Sequence, residues 1–150
     1  MRFDKLTTKF QQALSDAQSR AVGKDNPYIE PQHLLLALLD QQDGGTASLL
    51  SRAGVNVPAL REALLKSIER LPRVEGTGGE VNISRELTNL LNIADKEAQK
   101  RGDQFIPSEL FLVALTEDKG ETGRLFKQYG GDREPAVAGD DRGHAVPATR

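Results

Sequence analysis

The stretch YIEPQHLLLALL at Tyr28–Leu39 returns as FIPSELFLVAL at Phe105–Leu115, and a repeated helical unit restricts the architecture more than any single motif does. A shift of 77 positions places Thr7 on Ser84, Phe10 on Leu87, Ala13 on Leu90, Leu14 on Leu91, Ala17 on Ala94, Ala21 on Ala98, Tyr28 on Phe105 and Ile29 on Ile106. One residue is then lost. With a shift of 76, His33 falls on Glu109, Leu34 on Leu110, Leu36 on Leu112, Leu39 on Leu115, Leu49 on Leu125, Leu50 on Phe126 and Gly54 on Gly130. So many agreements under one small gap imply a duplicated unit.

Each copy reads as helices. Thr7 or Thr8 can cap a first helix whose apolar stripe is Phe10, Ala13, Leu14, Ala17 and Ala21, with Gly23 after it. Pro31 suits the first turn of a second helix, where its missing amide proton is not needed, and the run Leu34–Leu39 is apolar all round. That helix is therefore expected between neighbours rather than on a surface. Thr46 caps a short third helix ending at Ala53 and Gly54, and Val57, Leu60, Leu64, Ile68 and Leu71 mark a fourth. LPRVEGTGG, from Leu71 to Gly79, breaks the pattern with one Pro and three Gly. Ser84 then repeats the cap, ahead of Leu87, Leu90, Leu91, Ala94 and Ala98 in a fifth helix closed by Gly102. A sixth starts near Ser108, and Thr122 is placed to cap a seventh that stops at Gly130. Where an eighth is due, two Pro, three Gly and scattered charges leave no apolar period.

The expected fold is all-α: repeat 1 over 1–71, a connection over 72–83, repeat 2 over 84–130 without its last helix, and a disordered tail over 131–150. Without a fourth helix in the second copy, Leu112, Leu115 or Phe126 should be left uncovered.

Composition excludes more than it selects. The net charge of -2 offers no basic field for nucleic acid or an anionic membrane, and the absence of Cys removes disulfides and thiolate metal sites. No apolar run approaches membrane-spanning length and the first ten residues are polar, so a cytoplasmic chain with neither membrane nor nucleic acid as partner is expected. His33 and His144 are the only histidines, with no H-x-x-x-H spacing, so no metal or other cofactor is expected; His33 reads as a partly buried helix-start residue. A small hydrolase would require folding to bring a nucleophile, His33 and a carboxylate into one pocket.

The paired halves, with the opening MRFDKLTTKFQQAL, the linker LPRVEGTGG and the stretch QKRGDQFIPSELF, closely resemble the N-terminal domain of the ClpB disaggregase family from Met1 to about Tyr129. The resemblance implies a chaperone module that engages unfolded or aggregated polypeptide and is tethered in the family to ATP-hydrolysing motor domains. No G-x-x-x-x-G-K-S/T loop occurs here, so this stretch of chain is not expected to hydrolyse ATP. A docking platform for a folded adaptor protein, or a truncated fragment without function, are the rival readings.

Ile93 lies off the buried stripe of the fifth helix and Leu110 near the start of the sixth. The resemblance places both along a client groove, together with Ala13 and Leu90. Glu97, one turn beyond Ile93, would shorten that apolar strip. The polar set Thr7, Ser84, Asp103 and Glu109 matches positions to which the family's function is sensitive. Physically, Thr7 and Ser84 are caps, Asp103 lies in a turn and Glu109 favours the dipole of a first helical turn. They could also hold the two repeats in the orientation that shapes the groove. Limited proteolysis checks the layout: residues 131–150 should be trimmed while Met1–Tyr129 survives, and a tail that resists cleavage would contradict that boundary.

Overall fold

The computed structural model describes residues 3–42, 45–75 and 81–132. A 3-10 turn at Phe3–Lys5 leads into α1 (Thr8–Gly23), β1 (Tyr28–Ile29), α2 (Pro31–Asp40), α3 (Thr46–Arg52) and α4 (Val57–Glu69). After the connection come β2 (Asn82–Ile83), α5 (Arg85–Arg101), α6 (Ser108–Thr116) and α7 (Glu121–Gln128). The all-helical expectation holds apart from two very short extended segments. β1 and β2 pair in parallel, with Tyr28 opposite Asn82 and Ile29 opposite Ile83, and Leu6 forms a parallel bridge with Ile106. Periodicity could not show these, because two residues carry no alternation.

Equivalent hydrogen bonds recur under the sequence shift. The Thr7 amide donates to the Ile106 carbonyl at 3.1 Å, and the Ser84 amide donates to the Ile29 carbonyl, also at 3.1 Å. Asn26 N–H to Ala21 O and Asp103 N–H to Ala98 O are both 2.9 Å. Farther on, Gly54 and Gly130 both adopt left-handed backbone, at φ of 96° and 105°, which ends α3 and α7 in the same way. The segment entering the first helix of each half therefore bonds to the segment entering the second helix of the other half. Because those amides lie at helix entrances, where no intrahelical acceptor exists, each half completes backbone bonding that the other cannot supply for itself.

α2 is buried at every position from Pro31 to Leu39, as its all-round apolar character implies. It touches α1, α3, α4 and α5, while α6 lies against α5 and α7. Phe10 of α1 and Phe111 of α6 meet with ring centroids 6.3 Å apart and planes tilted by 49°, so one core runs through both halves. At the C-terminal end of α2, Asp40 accepts two hydrogen bonds from Arg61 of α4, at 2.8 and 3.0 Å, and one from Arg20 of α1 at 3.0 Å. These bonds, the Arg61 contribution foremost, hold the Asp40 carboxyl below its usual range.

Several expectations need correction. Leu112, Leu115 and Phe126 are not left uncovered; their exposures are 1%, 0% and 0%. α4 packs on α7 as well as on α2, so one helix serves both halves; the Asn56 amide at its start donates to Tyr129 O, and Arg70 at its end pairs with Glu121. Thr46 does not cap α3, being its first residue behind Gly45, and Thr122 does not cap α7. Gly120 precedes that helix, and Asp118 accepts from the amides of Gly120 and Gly123 instead. Nor does order stop at 130. Gly131 is buried, its amide donates to Phe126 O, and a Cβ placed there would meet the Phe126 ring at 2.5 Å. The expected tail otherwise falls on 133–150, and the Gly-rich part of the connection on 76–80; both lie outside the described residues.

His33 is fully buried rather than partly so. Its Nδ1 accepts the Glu30 amide at 2.9 Å, so the ring proton sits on Nε2 and is donated to Asn26 Oδ1, also at 2.9 Å. Asn26 in turn donates to Pro72 O, fastening the start of the connection. Both ring nitrogens are thus engaged in the neutral form. Burial first, then the nearby Arg20 charge, lowers the His33 pKa from 6.5 to about 4. The unfolded chain takes up this proton near pH 6.5 and the folded chain only near pH 4, so the stabilisation is complete above 6.5 and is lost as pH falls through 4. Between pH 7 and 4.5, wild type should lose about 2–3 kcal/mol more unfolding free energy in urea than His33→Gln does. Parallel curves for the two proteins would refute this.

Candidate functional site

The apolar residues expected to line a groove do not gather on the surface. Ala13, Leu90 and Leu110 are exposed by 1%, 3% and 1% and belong to the core. The reason is geometric: Ala13 and Leu90 occupy equivalent inward positions on α1 and α5, and Leu110 starts the buried stripe of α6. Ile93 is different. It is 37% exposed on α5, and of its helical neighbours Asn89, Lys96 and Glu97 are polar while Leu90 is withdrawn into the core. Glu97 is engaged with Arg101 at 3.1 Å and Lys100 at 3.6 Å. Ile93 is therefore an isolated apolar residue in a polar surround.

The polar set has the local roles its spacing suggests. Thr7 Oγ1 accepts the Phe10 amide at 3.3 Å and Ser84 Oγ the Leu87 amide at 3.0 Å, each an N-cap bond of about 1 kcal/mol. The same two residues carry the reciprocal backbone bonds between halves. Asp103 is exposed in the turn after α5 and Glu109 half-buried in the first turn of α6. Of the four, Ser84 borders one of the two hollows described below and the other three line neither.

A larger opening lies elsewhere, between α1 and β2. This cleft of 690 Å³ is lined on its apolar part by Phe3, Leu6, Leu14, Ile29, Val81 and Ile83, and on its polar part by Asp4, Gln11, Ser15, Gln18 and Asn82. Phe3 is 45% exposed. Local rules explain how the walls form. Leu6 and Ile83 immediately precede the Thr7 and Ser84 caps, and each is held by a parallel pairing across the seam, Leu6 with Ile106 and Ile83 with Ile29. β1 turns Ile29 inward and leaves Tyr28 out, and Leu14 sits at the edge of the α1 stripe. The equivalent apolar residues ahead of both caps were the available sequence signal for this cleft.

A smaller hollow of 350 Å³ borders it at Tyr28, Glu30, Ser84, Arg85 and Glu86. Burial raises the Glu30 carboxyl above its usual range; the Ser84 hydroxyl opposes this and Glu86 adds to it. Among the described residues no group of three or more His, Cys, Asp and Glu could hold a metal ion, and no helix is long and apolar enough to cross a membrane. The His33 ring is committed to Asn26 and the Glu30 amide, which leaves it no nucleophile to activate.

Two helical halves joined by reciprocal backbone bonds, with an apolar cleft at their seam, define a double helical-repeat N-domain of the Clp type. Residues 5–129 match the Clp repeat (R) N-terminal domain, and the chain belongs to that family. It is 51% identical over 130 residues to the chaperone protein ClpB of Vibrio cholerae, an alignment covering 87% of this chain and 15% of that protein. The chain thus corresponds to the N-terminal domain of ClpB-like chaperones and spans about 15% of the length of the curated relatives it matches. Among solved structures, the Hsp104 N-terminal domain from Candida albicans shares the fold, with a TM-score of 0.79 at 20% identity over 95% of each chain. The ClpV N-domain solved in complex with a VipB peptide has a TM-score of 0.71 at 22% identity, covering 91% of this chain and 86% of that one.

Because Leu110 is core, Leu110→Ala should cost about 2–4 kcal/mol in chemical denaturation, in the range of large-to-small core substitutions. A loss below about 0.5 kcal/mol would mean that the side chain is a surface groove residue after all.

Proposed function

We propose that this domain holds segments of unfolded polypeptide, weakly and reversibly, in the cleft between α1 and β2, and has no ATPase activity of its own. The observation that carries the reading is six apolar side chains around one open cleft on a domain of the ClpB N-terminal type. Exposed hydrophobic side chains are what unfolded clients share, and a cleft that offers apolar surface recovers free energy by removing both from water. A site of this size covers only a few side chains, and ordering a flexible client consumes much of the gain, so affinity is micromolar or weaker. The larger chaperone assembly, with motor domains supplied by the rest of a full-length ClpB, is part of the same proposal, as is a cytoplasmic location.

Ile93 supplies an auxiliary contact at most, because its polar neighbours leave no continuous strip. Thr7 and Ser84 act on the site by fixing the seam that shapes it. A second reading, docking of a peptide from a folded adaptor, is favoured by the peptide-bound ClpV N-domain. It uses a defined sequence rather than general apolar character.

Titration of the domain with a permanently unfolded model protein, followed by amide chemical shifts, tests the proposal. Shifts should centre on Leu6, Leu14, Ile29 and Ile83. Phe3→Ala/Val81→Ser should weaken binding about five- to tenfold, equivalent to about 1–1.4 kcal/mol of lost apolar burial, while Ile93→Asp should weaken it less than twofold. An unfolded chain that leaves the spectrum unchanged would instead support adaptor docking.

A further inference from the structure

The short sheet at the seam has one edge that no described residue pairs with. In an extended strand, successive residues turn their backbone N–H and C=O to opposite sides. The Ser84 amide donates to Ile29 O at 3.1 Å, and Ile83 stands opposite Ile29 in the parallel register. The Asn82 carbonyl and the Ser84 amide therefore face β1, and Ile83, between them, directs its N–H and C=O away from it. Among the described residues, none bonds to either group.

The matching edge in the other half is already used. Leu6, the equivalent of Ile83 under the shift of 77, donates its amide to Phe3 O at 3.1 Å, and its carbonyl accepts Gln11 Nε2 at 2.8 Å. Where Gln11 would fall, the second half has Thr88, whose side chain carries no amide. The unpaired edge borders the cleft. Val81, Asn82 and Ile83 all line it, and since side chains alternate along a strand, three consecutive residues bring the opening against the backbone as well as one face. Asn82 is exposed and its two neighbours half-buried, so a ligand in the cleft reaches that edge.

Charge restricts the occupant. Among the described residues lining the cleft only Asp4 is charged, and the hollow just past Ile83 holds Glu30 and Glu86 against Arg85. Glu86 adds to the effect of burial in raising the Glu30 carboxyl, so the two carboxylates repel, and a cation beside them relieves both.

We propose that the occupant of the cleft is an extended polypeptide segment added as a third strand to the Ile83 edge of β2, apolar along the cleft and carrying Lys or Arg where it meets Glu30 and Glu86. This rests on the reading that the cleft takes polypeptide. The N–H and C=O of Ile83 bond to the client's backbone, which every residue but proline supplies in full, while the apolar walls take alternate side chains. Recognition is then tolerant of sequence, and a helical segment, whose backbone groups bond to one another, is refused.

The test alters the peptide and leaves the protein untouched. A short blocked peptide of Val, Leu, Ser and Thr, with Lys at both ends, is titrated into the full chain and followed by amide shifts and hydrogen exchange. Binding should slow exchange at the Ile83 amide about tenfold or more, with little change at Ser84, whose amide is already bonded to Ile29. N-methylation at alternate peptide residues should weaken binding about fivefold, as loss of one hydrogen bond implies, and at the residues between them less than about twofold. Replacing both Lys by Glu should weaken it about threefold at low salt, a difference that fades in high salt. A peptide that shifts Leu14 and Ile29 while Ile83 exchanges as before, and that tolerates methylation at every residue, binds by side chains alone; that overturns the added strand and leaves the polypeptide-site reading standing. A Glu peptide that binds as well as the Lys one overturns the basic end. A peptide that shifts no amide overturns both the strand and the reading beneath it.

Discussion

Everything in this domain hangs on the crossed backbone bonds from Thr7 to Ile106 and from Ser84 to Ile29. Each uses a helix-entrance amide that its own half cannot satisfy, and a buried amide without an acceptor would cost roughly 1–3 kcal/mol. The two bonds set the relative height and rotation of the halves. With that frame set, Phe10 reaches Phe111 and α2 is closed in on every face. The N-cap side chains of Thr7 and Ser84 sit on the same residues, so helix initiation and assembly of the halves are one local event.

Among the described residues, one helix also joins the two halves directly. α4 lies against α2 on one side and α7 on the other, with Asn56 bonded to Tyr129 O and Arg70 paired with Glu121. Phe126 is sealed by this packing and by the close approach of Gly131.

The seam also meets the surface. Gln18 and Asn82 line the cleft beside α1, whereas Lys5 and Asp95 form a partly exposed ion pair at the matching positions beside α5. Such pairs contribute modestly, typically under about 1 kcal/mol. The client-binding reading draws on this seam, whereas the face around Ile93 stands apart from it.

The sequence by itself determined the helices, the caps of α1 and α5 at Thr7 and Ser84, and the internal match of the halves. These follow from local spacing: threes and fours of apolar residues, Ser or Thr before them and Gly after. It also made Ile93 readable as a surface residue and α2 as an enclosed helix. What it misjudged was decided at a distance. Phe126 was covered because α4, far away in the chain, packs on α7, while Ala13, Leu90 and Leu110 took the inward positions of α1, α5 and α6 rather than a surface groove. Only the tertiary structure could place Phe3 and Val81 on one cleft and Lys5 beside Asp95, since contacts between residues tens of positions apart leave no trace in local periodicity.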